Sequence, residues 1–129
     1  MREVLIGLGL ALVTCLLLYL LPIEWARGLT ANLLTLIAAI YIGFAIASQG
    51  RLGILKQVVG CSFFFALALL GLWLSWWFLA CGLALHAGWD YLHHGKHRGG
   101  VVPRWYIPFC AAYDFSVALF VALFFAART

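Results

Sequence analysis

Residues 57–94 read QVVGCSFFFALALLGLWLSWWFLACGLALHAGWDYLHH, a nearly unbroken apolar run closed by two histidines. As one helix it would be about 57 Å long at 1.5 Å per residue, far beyond the roughly 30 Å of a bilayer's hydrocarbon core. It must therefore fold back on itself. The connection is expected around Gly71 to Ser75, beside Trp73, Trp76 and Trp77, because indoles favour the membrane interface and a Gly–Ser region tolerates a tight turn.

The rest of the chain follows the same logic. Of its 129 residues, 67% are hydrophobic and 9% charged, against roughly 45–50% and about 25% in soluble domains. One domain of this size cannot hide so much apolar surface in a single core, which excludes a water-soluble fold. Val4 to Leu21 is apolar and stopped by Pro22, Glu24 and Arg27. Leu29 to Ser48 is closed by Gln49-Gly50-Arg51, and Phe109 to Ala127 follows a loop marked by Gly99-Gly100, Pro103 and Pro108. The first run lacks the short apolar core and small-residue cleavage site of a signal peptide, so it reads as a membrane helix. The prediction is an all-α, single-domain bundle over residues 1–129, embedded in the lipid bilayer with five transmembrane helices at 4–21, 29–48, 53–71, 75–94 and 109–127.

The eight Lys and Arg residues against four Asp and Glu give a net charge of +4. They sit singly beside apolar runs, where they act as topology signals; no nucleic-acid partner is expected. Five spans put Arg2, Arg51, Lys56, Lys96, Arg98 and Arg104 on one side and only Arg27 and Arg128 on the other, whereas four spans divide the same charges evenly. The positive-inside rule thus favours five, with the N-terminus cytoplasmic and the C-terminus outside.

Span two carries Ala31, Thr35, Ala39, Gly43 and Ala47 at four-residue intervals. Such a stripe lets a neighbouring helix approach closely, either within the bundle or as the seam of a homo-oligomer. Cys15, Cys61, Cys81 and Cys110 all lie in apolar segments without metal-type spacing, and read as small core side chains. Cys110 is the one placed to bring a thiol near a site.

All four histidines fall in one segment, His86-Ala-Gly-Trp-Asp90-Tyr-Leu-His93-His94-Gly-Lys-His97. On a helical wheel with His86 at zero, Asp90 lies at about +40°, His93 at about −20° and His97 at about +20°. Gly95 is a plausible helix stop that would leave His97 in a loop. His86 lies roughly two turns, about 10 Å, inside the cytoplasmic boundary, and Asp114 on span five reaches a similar depth. An ionised group there costs at least ~2.5 kcal/mol, so it needs a partner or a task.

Two chemistries suit His86, Asp90 and Asp114 as the catalytic set. His86 with Asp90 at i, i+4 could clamp a divalent metal with Asp114, zinc being the simplest case. Asp90-x-x-His93 resembles the carboxylate-x-x-His element that holds iron or manganese in helical bundles, which adds His93 as a ligand. Without a metal, an aspartic acid could donate a proton to a lipid-soluble substrate while a neighbouring histidine recycles it. Trp89, Tyr91, Trp105, Tyr106 and Tyr113 offer an aromatic lining, or equally an interfacial belt. Four histidines are too few for the multi-box sites of membrane desaturases. The alternative for His93, His94 and His97 is a hydrated headgroup cluster; in the site reading His93 is an additional ligand or a supporting group behind the ligands, and His94 and His97 are largely expendable.

At these residues the chain resembles a family of small bacterial integral membrane proteins known as domain of unknown function 6010. The resemblance is carried by Ala39-Ile-Tyr-Ile-Gly-Phe44, by Trp76-Trp77 leading into His86-Ala-Gly-Trp-Asp-Tyr-Leu-His-His94, and by Val102-Pro-Arg-Trp-Tyr-Ile-Pro-Phe-Cys-Ala-Ala-Tyr-Asp114. It implies a multi-pass protein of the bacterial inner membrane and supplies no reaction. Two readings stand: a membrane enzyme or ligand-binding protein for a lipid-soluble small molecule, and a non-catalytic membrane component whose His/Asp network fixes helix register.

Overall fold

The computed structural model describes residues 1–48, 50–93 and 102–128. His94, Gly95, Lys96, His97, Arg98 and the Gly99-Gly100 pair lie outside the described residues, and with them the headgroup-cluster reading.

Every described element is helical: α1 (Arg2–Leu20), α2 (Ile23–Ser48), α3 (Arg51–Trp73), α4 (Trp77–Leu92) and α5 (Tyr106–Arg128). Four of them, α1, α2, α3 and α5, are long and apolar enough to cross a membrane. With 16 residues, α4 is the short one.

The long apolar run folds back where expected, with α3 ending at Trp73 and α4 starting at Trp77. The carbonyl of Leu70 accepts from both Leu74 N and Ser75 N, at 2.9 and 3.1 Å. The next carbonyl, of Gly71, accepts from Arg27 Nε at 2.6 Å, so a side chain from α2 satisfies one of the acceptors that a helix end leaves open. Gly71 itself lies inside α3, where it gives Leu79 room: a Cβ there would stand 2.2 Å from Leu79 Cδ2.

Three boundaries differ from expectation. The second helix begins at Ile23, not Leu29, because Pro22 alone breaks the chain. Leu21 before it is extended, at φ −80° and ψ 150°, as proline demands of its predecessor. Glu24 and Arg27 are carried on the first turns of α2. The fifth helix begins at Tyr106, not Phe109, and takes Pro108 into its first turn, where a missing N–H costs nothing. The fourth helix ends at Leu92, with His93 as its C-cap, not at His94.

Helix directions follow from their contacts. A Cβ on Gly7, near the start of α1, would stand 2.3 Å from the Phe109 carbonyl near the start of α5. Thr14 hydrogen-bonds Tyr113 at 3.0 Å, and Arg128 at the end of α5 donates to the Tyr19 carbonyl at the end of α1. The first and last helices therefore run parallel. The α2–α3 hairpin packs on α4, α4 packs antiparallel on α5, and α1 covers the far side of α5.

The small-residue stripe on α2 is only partly used in packing. Ala31 is buried, Thr35 and Ala39 are half-buried, and Gly43 and Ala47 are exposed. A four-residue repeat advances about 40° per step on a helix of 3.6 residues per turn, so the stripe winds off the contact face. The buried face carries Ala26, Thr30, Leu34, Ala38, Tyr41 and Ala45 instead. Outward-facing side chains are apolar too, with Leu5, Leu12, Val13 and Leu16 of α1 more than half exposed.

Candidate functional site

Two i, i+4 pairs on antiparallel helices face each other at one level of the bundle. Residues four apart share a helix face, so α4 presents His86 and Asp90 together while α5 presents Cys110 and Asp114. His86, Asp90 and Asp114 expose none of their surface, and Cys110 is 3% exposed. The level lies about 9 Å from the end of α4 and about 12 Å from the start of α5, at 1.5 Å per residue. Arg51, Lys56 and Arg104 belong to the same end of the bundle.

His86 is the hub. Its Nδ1 lies 2.6 Å from Asp114 Oδ2 and 3.8 Å from Asp90 Oδ1. The Tyr41 hydroxyl, from α2, donates to Asp90 Oδ1. Cys110 Sγ lies 3.7 Å from Asp114 Oδ2 and 3.5 Å from the Tyr106 hydroxyl. Phe64 of α3 meets the imidazole edge-to-face at 4.8 Å between centroids, and Tyr41 does so at 5.7 Å. One donor atom each from His86, Asp90, Cys110 and Asp114 lies within 4.8 Å of all the others.

This cluster is incompletely satisfied. His86 Nε2, Asp90 Oδ2 and Asp114 Oδ1 are buried and have no hydrogen-bond partner among the described residues. Buried polar atoms are nearly always paired, since each unpaired one costs about 1–3 kcal/mol. Two carboxyl groups facing one imidazole also lack balancing charge unless protons or a cation supply it. A divalent ion would supply that charge, and nitrogen, oxygen and sulfur donors of this kind are those that hold zinc and related metals.

His86, Asp90 and Asp114 thus come together as their spacing and depth suggest, with His86 as the link between the two acids. His93 does not join them. Its Nδ1 lies 2.8 Å from the Trp89 carbonyl, its Nε2 lies 3.0 Å from Gln57 Nε2, and its ring lies against Tyr41. The angular agreement with His86 was real, but about 10.5 Å of axial rise separates the two residues. A ring at the last turn caps its own helix more readily than it reaches two turns back.

Cys110 is the fourth residue whose donor atom lies within the close group. Tyr41, Tyr106 and Gln57 complete the surroundings, and the sequence reading assigned roles to neither Tyr41 nor Gln57. For Tyr41 a signal existed, since it lies within the resemblance segment of span two. Of the aromatic residues considered as a lining, Tyr106 borders the cluster and Trp89 packs beside His93 and Phe64. Tyr113 binds Thr14 on α1, while Tyr91 and Trp105 lie on the surface, at 75% and 56% exposed.

The chain matches the model of a family of unknown function, DUF6010, over residues 2–129. No curated protein and no solved structure matches it.

Proposed function

For a chain that belongs to the DUF6010 family over nearly its whole length, whose description names no reaction, we propose a multi-pass membrane protein that binds a divalent metal ion on His86, Asp90 and Asp114 and uses it on a lipid-soluble small molecule. The observation that carries this reading is the meeting of these three fully buried groups from two helices, each with one polar atom left unpartnered. In such a site the ion polarises a bound oxygen, while the imidazole and carboxylates fix its position. A substrate that arrives through the bilayer is favoured over a water-borne one, because apolar helices surround the site and the cluster has no exposed surface.

The proposed setting is the bacterial inner membrane, with five crossings, the N-terminus in the cytoplasm and the C-terminus outside. Parallel docking of α1 on α5 supports an odd number of crossings, and the six-to-two division of Lys and Arg supports the orientation. The metal site then lies toward the cytoplasmic face. Reporter fusions after Thr129 and near Gly99 are expected to give opposite locations; a cytoplasmic Thr129 overturns this topology.

The deciding measurement is elemental analysis of the protein purified in detergent, wild type beside His86→Ala. The expected result is about one zinc or iron per chain in the wild type and a loss of most of it in the variant. Metal-free wild-type protein that stays metal-free after incubation with zinc or ferrous salts leaves the structural-network reading, in which Tyr41–Asp90 and His86–Asp114 serve only to tie helices together.

A further inference from the structure

Read from the sequence, His93 is either an additional ligand or a group supporting the ligands from behind, which leaves the fourth donor open. We propose that Cys110 is the fourth donor, making a closed centre of one nitrogen, two oxygens and one sulfur that takes a borderline divalent ion of the zinc class. This rests on the metal reading above and specifies its donor set.

Cys110 and Asp114 stand on one face of α5, as His86 and Asp90 stand on one face of α4, so the four donors come as two matched pairs across a single helix interface. Ligand atoms about 2.0–2.3 Å from a tetrahedral ion lie roughly 3.3–3.8 Å from one another. His86 Nδ1 to Asp90 Oδ1 at 3.8 Å and Cys110 Sγ to Asp114 Oδ2 at 3.7 Å already match that range, while His86 Nδ1 and Asp114 Oδ2, hydrogen-bonded at 2.6 Å, would separate by about 0.7 Å. The widest pair in the cluster, at most 4.8 Å, needs to contract by only about 1 Å.

The donor chemistry selects the ion. Magnesium and calcium take six or more oxygen ligands and keep several waters, which a buried set with two carboxyl groups, a thiol and an imidazole does not provide. Thiolate and imidazole favour zinc, cobalt and ferrous iron. Loading exchanges protons for the ion: the thiol gives up its proton, as does whichever group holds the one shared by His86 Nδ1 and Asp114, and both leave to solvent. The ion's two positive charges then face two carboxylates and a thiolate, leaving one net negative charge. The hydroxyl of Tyr41 at Asp90 and that of Tyr106 at Cys110 stand where donors would stabilise it. Four protein donors would match a closed zinc centre, whereas a catalytic one keeps a position open, so this donor set specifies how the ion would be held and not its use on a substrate.

Cobalt substitution separates this proposal from the reading beneath it. Purified full-length protein in detergent is stripped with chelator, loaded with cobalt(II), and its spectrum compared with those of Cys110→Ser and His93→Ala, metal content being measured in parallel. The expected result is a thiolate-to-cobalt charge-transfer band in the near-ultraviolet in the wild type and in His93→Ala, absent from Cys110→Ser. Cobalt bound by the wild type without that band overturns Cys110 as a ligand while leaving the metal reading intact. Loss of the band in His93→Ala overturns this donor set as well. Wild-type protein that binds neither cobalt nor zinc overturns both.

Discussion

The two ends of the bundle are held by different means. At the end that carries the α3–α4 turn, Trp76 stacks on Trp77 and on Phe125, with centroids 4.2 and 5.5 Å apart, and Leu79 fills the space left by Gly71. Thr30, the buried polar side chain nearest that end, bonds within its own helix to the Ala26 carbonyl. At the other end Gln57, His86, Asp90 and Asp114 are buried, and each leaves one polar atom unpartnered among the described residues. Helices in lipid associate through close packing, so the tryptophan end shows what suffices to hold this fold. The polar end carries groups that packing does not require. Their cost is what motivates the metal-site proposal over the structural-network reading.

Four substitutions probe that contrast. Asp114→Ala removes the partner of His86 Nδ1 and is expected to abolish metal binding and to destabilise the detergent-solubilised protein by about 3–5 kcal/mol, read from thermal unfolding. An unchanged unfolding midpoint together with unchanged metal content would erase the distinction between the ends. Gly71→Ala tests the tryptophan end, where a Cβ would stand 2.5 Å from Leu79 Cγ; a cost of about 1–3 kcal/mol is expected, with metal content preserved. Pairing it with Leu79→Ala should cost less than the sum of the two single changes, because the added methyl enters the space the leucine vacates.

Tyr41→Phe sharpens the comparison from inside the site. It keeps the ring but takes the hydroxyl from Asp90, so a loss of about 1.5 kcal/mol is expected, together with weaker metal retention against a chelator. Retention equal to wild type would reduce Tyr41 to packing. The smallest effect belongs to Arg128→Ala. Its guanidinium lies 4.4 Å from the Phe124 ring centroid and 5.3 Å from that of Tyr19, and its loss should lower stability by about 0.5–1 kcal/mol without touching the site. A change in metal content there would mean that the two ends are coupled.

What the sequence revealed and what it hid have one physical cause. Run lengths, the tryptophan turn and the depth of His86 and Asp114 are linear properties, readable by counting at 1.5 Å per residue. Helix rotation is not, because in this chain both the lipid-facing and the core-facing sides are apolar. Leu16 at 56% exposure and Leu18 at 0% look alike in sequence. The pairing of His86 with Asp90 survived this ambiguity, since both lie on one helix and their relative angle is fixed. Cys110 was legible for the same reason, standing four residues before Asp114, whereas Tyr41 and Gln57 depend on how α2 and α3 turn toward α4, and nothing within those segments sets that angle. For His93 both angle and height were countable: it shares the angle of His86 but lies about 10.5 Å along the axis, and its ring rests on Tyr41, the partner of Asp90. The stripe from Ala31 to Ala47 packs within the bundle only at its start, because a four-residue repeat advances about 40° per step and winds around the helix.

The parallel docking of α1 on α5 also bears on how the protein is made. Gly7 and Thr14 meet Phe109 and Tyr113, so α1 finds its main partner in α5, the described helix farthest from it in sequence. Until roughly a hundred further residues have been synthesised, α1 must persist in the bilayer without that contact, which its mean hydropathy of 2.3 permits. Its closure onto α5 is then the event that brings the two ends of the chain into register. Docking of α1 should accordingly wait until α5 has been made, and a chain truncated before Tyr106 should insert its early helices yet leave α1 undocked.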